Sequence, residues 1–134
     1  MLTDENLEGQ FTNSDFELAA TVLHEAVLGH YYRLHTRTIR TGSDNVPTVA
    51  WRNKGSTTTQ GPAAYLLRAA SLLQRQHGHV RRIHYLPGTA NILADAASRR
   101  FDLSSPDLIK LLSLLAPQPS PWRDYGCRPL CFLQ

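Results

Sequence analysis

Residues 80–100, VRRIHYLPGTANILADAASRR, decide the fold. Val80 to Leu86 is a short run rich in branched and aromatic side chains, closed by the turn pair Pro87-Gly88. From Asn91 to about Arg100 the apolar residues return at helical spacing. A strand therefore feeds a helix. Working back, Thr36 to Thr41 is a second short β-branched run, and it enters the turn-forming residues Gly42-Ser43-Asp44-Asn45. The residues between the two strands read as helices. Val46 to Trp51 is one, with Pro47 accepted in the first turn. The other begins at Pro62, is outlined by Ala63, Leu66, Leu67, Ala70, Leu72 and Leu73, and stops near Gly78. Two strands joined by a helical crossover are expected to be parallel and right-handed. The class is α/β, with helices laid against a sheet.

Outside this unit the pattern is helical at both ends. Thr12-Asn13-Ser14 offers three candidate N-caps for a first helix. Phe16, Ala19, Ala20, Leu23, Ala26 and Val27 recur along it as one apolar stripe, and Gly29 lies near its end. Ser105-Pro106-Asp107 starts a further helix through Leu115. Pro117, Pro119 and Pro121 break it, and the remainder reads as a tail. The expected division is residues 1–101 as the α/β domain and 102–134 as a C-terminal helix with a proline-rich tail.

The 134 residues are 42% hydrophobic, enough for a modest core, and no run approaches the ~18 apolar residues of a membrane span. The opening MLTDENLEGQ is acidic and polar, unlike a secretory or transit signal. Cys127 and Cys131 are too few for a disulfide scaffold and lack neighbouring His for a metal site, so an intracellular, reducing compartment fits. The net charge of +3 conceals an asymmetry. Residues 18–101 hold eleven Lys or Arg against Glu25, Asp44 and Asp95, a net of +8. Such a basic middle suits either a protein that meets a polyanion or an ordinary solvated surface.

Three acids stand where α/β proteins keep chemistry. Glu17 flanks the stripe of the first helix, Asp44 follows the first strand at its carboxyl end, and Asp95 sits in the last helix of the unit. Carboxylates from separate elements repel one another unless divalent cations hold them, which is the frame of two-metal phosphoryl chemistry. Each also has an ordinary reading: Glu17 complements a helix N-terminus, Asp44 shapes a turn with Asn45, and Asp95 is an exposed helix residue.

The words around these acids resemble the ribonuclease H domains of reverse-transcribing elements. TNSDFELAA, residues 12–20, looks like the start of that family's first helix, which carries a catalytic Glu. TGSDN, residues 41–45, looks like the end of its fourth strand, which carries a catalytic Asp. YLPGTANILADAASR, residues 85–99, is similar to the segment that closes these domains in retrotransposons. By resemblance, Glu17, Asp44 and Asp95 would be catalytic and would bind Mg2+ or Mn2+, as one ion or two. The substrate would be the RNA strand of an RNA–DNA hybrid, and the rest of a reverse transcriptase polyprotein would be a possible partner. Asn45 after the first strand, and Arg52, Lys54, Ser56 and Thr57 in the polar loop 52–60, would contact nucleic acid, gripping phosphates without reading sequence; the ordinary reading of that loop is a flexible solvated one.

The chain departs from the family in two places. The loop Pro87-Gly88-Thr89-Ala90 lacks the His that some members carry. More seriously, the family sets three antiparallel strands before its first helix, and the first of these supplies a further Asp. Only Met1 to Phe11 precede the helix here, too few for three strands of ~5–6 residues each. At best Glu8 to Phe11 keeps the end of the third, and Asp4 has no strand context. The expectation is an incomplete ribonuclease H-like fold, N-terminally truncated, impaired in catalysis and marginally stable. A non-catalytic nucleic-acid-binding module on the same fold is the alternative, and a small helical interaction protein is the third reading. Trp51 is expected in the core, His77 and His79 at an exposed helix end, and His84 in a structural place on its strand.

Overall fold

A computed structural model describes residues 11–58 and 60–122. The chain divides into two compact units, Met1–Pro87 and Gly88–Gln134. Among the described residues it is a mixed α/β protein with five helices and one two-stranded sheet.

In the first unit, helix α1 (Asn13–Tyr31) opens on Thr12. The Thr12 hydroxyl accepts from the Asp15 amide at 3.2 Å, while the Asp15 carboxylate accepts from the Thr12 amide at 2.8 Å. This reciprocal capping box satisfies two of the donors a helix start leaves free. Strand β1 (Thr38–Ser43) follows, then α2 (Val46–Lys54), α3 (Pro62–His77) and strand β2 (Val80–Tyr85). The strands are parallel, in register from Thr38 beside Val80 to Ser43 beside Tyr85. β1 therefore starts and ends two residues later than the β-branched run suggested, which leaves Asp44 directly after it.

Helix α2 extends three residues past Trp51, so Arg52, Asn53 and Lys54 are helical and the expected loop begins later. Polar residues at a helix end read as loop from sequence, yet Asn45 caps this helix and Gly55, at φ 71°, ends it in a left-handed turn. Helix α3 carries Pro62 in its first turn and buries Ala63, Leu67 and Ala70, spaced four and three apart. Gly78 terminates it at φ 62°. A Cβ there would meet the His35 imidazole at 2.4 Å, so both the backbone angle and the space call for glycine.

The core joins α1 to α3: Leu18, Ala63 and Leu67 are buried together, with Trp51 and Leu66 packed against them. Burying a leucine side chain fully is worth ~1.5–3 kcal/mol, so Leu18 and Leu67 are the main apolar anchors. The apolar stripe of α1 is not its buried face, because Phe16 and Leu23 are exposed while Asp15, Leu18, Thr21, Val22 and Glu25 are buried. A helix packs the face its neighbours cover, and the neighbours here are α2 and α3, which meet the side carrying Leu18 and Glu25.

The second unit begins with a 3-10 turn (Gly88–Ala90), then α4 (Ile92–Arg99) and α5 (Ser105–Leu115). Ser104 caps α5, accepting from the Asp107 amide at 3.3 Å. Trp122 donates its indole N–H to the Ala116 carbonyl at 3.1 Å. Asp4, most of the segment Glu8 to Phe11, Cys127 and Cys131 lie outside the described residues; Phe11 is described and is not in a strand. Among the described residues no helix is long and apolar enough to cross a membrane.

Candidate functional site

The carboxyl end of β1 holds the most evident concentration of polar chemistry predicted from the sequence. Ser43 is the last strand residue, and its hydroxyl accepts from the Asn45 amide at 3.2 Å, turning the chain. The Asn45 side chain accepts from the Thr48 amide at 2.9 Å and donates to the Ser14 hydroxyl at 3.3 Å. The Thr48 hydroxyl donates to the Ser14 carbonyl at 3.3 Å. Three short polar side chains thus pin the first turn of α1 to the turn after β1. That pinning sets Glu17, one turn into α1, in the field of Asp44. Partial burial and then the Asp44 carboxylate hold the Glu17 carboxyl above its ordinary range. Two carboxylates arranged so that one hinders ionisation of the other can be relieved by a cation between them.

The third predicted acid belongs to the second unit. Asp95 lies on α4, half-exposed, and pairs with Arg99 one turn on, at 2.5 Å. Such exposed pairs contribute little, ~0.3–0.5 kcal/mol. Among the described residues no group of three or more His, Cys, Asp or Glu side chains is gathered to hold a metal ion. Glu17 and Asp44 are therefore the pair of predicted acids that this structure brings together.

The residues predicted to grip phosphate divide. Lys54 and Ser56 are exposed, and Thr57 is half-buried. Asn45 is committed to capping α2. Arg52 is corrected most clearly: it is not a loop residue, and its side chain is only 2% exposed, donating to the carboxylate of Glu25. A guanidinium buried on a carboxylate is not available to a phosphate.

Glu25 is the functional-looking residue that sequence reasoning passed over. It is completely buried, and three basic side chains converge on it. His79 Nε2 lies 2.5 Å from Oε1, and Arg81 Nε lies 3.1 Å from Oε2 but is not aligned as a hydrogen bond. Arg81 also donates to the Thr41 hydroxyl at 2.7 Å, tying β2 to β1 beneath the helices. Burial pulls the Arg81 guanidinium below its ordinary range, and Glu25 opposes that shift. The cluster is rich in donors: Arg52 Nε, His79 Nδ1 and Arg81 Nη2 are buried without a hydrogen-bond acceptor among the described residues. His79 was expected at an exposed helix end; Gly78 turns the chain inward and buries it on Glu25. His84 keeps its place on the strand but is exposed. A signal for the cluster was present in the sequence. Strand alternation puts Arg81 on the same face as Ile83, and a basic residue on an inward face requires an acid.

A groove of about 510 Å3 between α1 and α3 is lined by Phe11, Phe16, Ala19, Pro62, Tyr65 and Leu66. Its walls are apolar, and Asp15 at its edge is spent on the capping box. It offers packing surface rather than reacting groups. Compared with protein-family models, curated proteins and solved structures, the chain matches none.

Proposed function

We propose that this chain is part of a ribonuclease H-like domain of the retroelement type, in which Glu17 and Asp44 hold a divalent cation, Mg2+ or Mn2+. The reaction of the complete domain would be endonucleolytic hydrolysis of RNA in RNA–DNA hybrids. The observation that carries this reading is the like-charge pair formed where the first turns of α1 are pinned to the carboxyl end of β1: partial burial first, and then the Asp44 carboxylate, raise the proton affinity of Glu17. Capping, turn formation and pinning at this point use Ser14, Ser43, Asn45 and Thr48, and none of their hydrogen bonds uses either acid. Two carboxylates leave most positions on Mg2+ to water, as that ion prefers. A cation bound there would supply activation of a water and stabilisation of a leaving oxygen. Residues of this chain would contribute placement: Ser14 and Asn45 fix the helix on the strand, and Lys54 at the end of α2, with Ser56 and Thr57 just beyond it, would serve backbone contacts.

Thermal unfolding with and without metal tests the reading. For a site of millimolar affinity, a tenfold excess of metal stabilises by about 1.4 kcal/mol, or roughly 6–11 °C for a domain of this size. The rise should vanish in Asp44→Asn and in Glu17→Gln. An unchanged midpoint in the cooperatively folded wild-type chain would end the proposal. Salt-sensitive binding of hybrid with no metal response would instead assign a non-catalytic nucleic-acid-binding role.

A further inference from the structure

The Glu25 cluster holds more positive charge than its one carboxylate can answer. Arg52 and Arg81 both reach Glu25 Oε2, and His79 takes Oε1. A guanidinium is always charged, whereas His79 adds charge only when protonated. Among the described residues neither arginine pairs with a second acid. Two permanent cations thus face one anion, and the cluster keeps a surplus positive charge. It is also out of water: the side chains of Arg52 and Arg81 are 2% and 1% exposed, and those of His79 and Glu25 are fully buried. Charges held in a protein interior are ordinarily neutralised, because an unpaired one has given up its hydration for nothing.

The unspent donors lie together on Arg81. Its Nη1 donates to the Thr41 hydroxyl at 2.7 Å. Its Nε and Nη2 are buried and have no aligned acceptor among the described residues, although Glu25 Oε2 is 3.1 Å from Nε. Those two nitrogens form one edge of the planar guanidinium, the parallel fork that takes an anion through two N–H groups. Arg52 Nε is buried without an acceptor as well. Both guanidiniums touch the same carboxylate oxygen, so they are neighbours as well as like charges. The effect is felt at Arg81: burial lowers its proton affinity, Glu25 raises it, and the charge of Arg52 lowers it again. A buried donor left without a partner is uncommon in a native protein and calls for a bound ion or water.

We propose that the Arg81 fork, backed by Arg52, is an internal site for a small monovalent anion, the halide chloride. A single negative charge is what the cluster lacks, and one ion accepting from Nε and Nη2 would satisfy the donors that Glu25 leaves. A phosphate or sulfate fits poorly, since it brings more charge and several oxygens among side chains that have almost no contact with solvent. Water is the rival occupant: it would satisfy the donors but leave the surplus charge in place. The ion would tie three elements at one point, because Glu25 belongs to α1, Arg52 to α2 and Arg81 to β2. The site stands apart from Glu17 and Asp44 and is independent of a metal there.

Urea unfolding of the purified chain in sodium chloride and in sodium gluconate, at equal ionic strength, tests the site. An ion bound only by the folded state should lower the unfolding equilibrium constant about tenfold for each tenfold rise in chloride above its dissociation constant, with no such trend in gluconate. Arg81→Met removes the fork and should abolish the difference between the two salts. Arg52→Met leaves the fork but removes the surplus cation, so it too should abolish the difference, and it keeps the test decisive if the Arg81 variant does not fold. A crystal grown in sodium bromide locates the ion directly, with an anomalous peak expected beside Nε and Nη2 of Arg81. Equal stability in chloride and gluconate would overturn the proposal, as would a chloride effect of undiminished size in Arg52→Met. So would a bromide crystal that holds only water at the Arg81 fork.

Discussion

Removing the charge of Glu25 should be the most damaging single change in the first unit. The carboxylate is fully buried, and the Arg52 and Arg81 side chains around it are 2% and 1% exposed. At an effective dielectric of 20, a unit charge pair at the 3.1 Å separation of Arg81 and Glu25 is worth about 5 kcal/mol before desolvation. Most of that gain is offset by the cost of taking the ions out of water, so the intact cluster adds modest net stability. Breaking it is another matter. Glu25→Gln leaves two buried guanidiniums and an imidazole with no counter-charge, and loss of one partner from a buried pair typically costs about 3–5 kcal/mol. A domain of this size has a total stability of ~5–15 kcal/mol, and each kcal/mol moves its midpoint by roughly 4–8 °C. The expected result is a fall of at least about 12 °C or loss of the cooperative transition. Arg52→Met should cost less, because Glu25 keeps both Arg81 and His79 and one unneutralised cation is removed. Urea unfolding followed by circular dichroism measures both. Glu25→Gln within about 1 kcal/mol of wild type, or less harmful than Arg52→Met, would refute the reasoning.

On β2 the Asn53 side chain donates to the Ile83 carbonyl at 2.7 Å and accepts from the Ile83 amide at 3.3 Å. Asn53→Ala strands both backbone groups, so it should cost about 1–3 kcal/mol and speed exchange of the Ile83 amide; an unchanged amide would mean that Asn53 does not hold it. The Glu17 carboxyl binds its proton more tightly in the folded chain than its ordinary 4.5 allows. Its contribution to stability is therefore present below pH 4.5 and lost as pH rises through the raised folded value. Glu17→Gln should flatten that part of the stability profile, and Asp44→Asn should flatten it partly; a profile that neither variant alters would show that the two carboxylates do not interact.

Local signals in the sequence settled the elements. The β-branched runs near Ile39 and Ile83, the stops at Gly78 and Pro87, and the N-cap candidates at Thr12-Asn13-Ser14 act over a few residues, and the strands and helices they mark are present. The parallel pairing also followed, because two strands separated by a helical crossover have little other choice. The position of Asp44 just past a strand end was legible for the same reason. What packs against what was decided only by tertiary structure. The apolar stripe of α1 looked like a core face from its own spacing, but α2 and α3 cover the opposite face, and Phe16 and Leu23 stay exposed. Arg52 looked like a phosphate ligand until α2 ran on to Lys54 and turned it onto Glu25. His79 looked solvated until Gly78 bent it inward. The last two depend on a partner 27 or 54 residues away along the chain, at distances where spacing within one element carries no information. Helix and strand periods report which residues share a face; only the folded arrangement of neighbours determines whether that face meets water, a carboxylate or another chain.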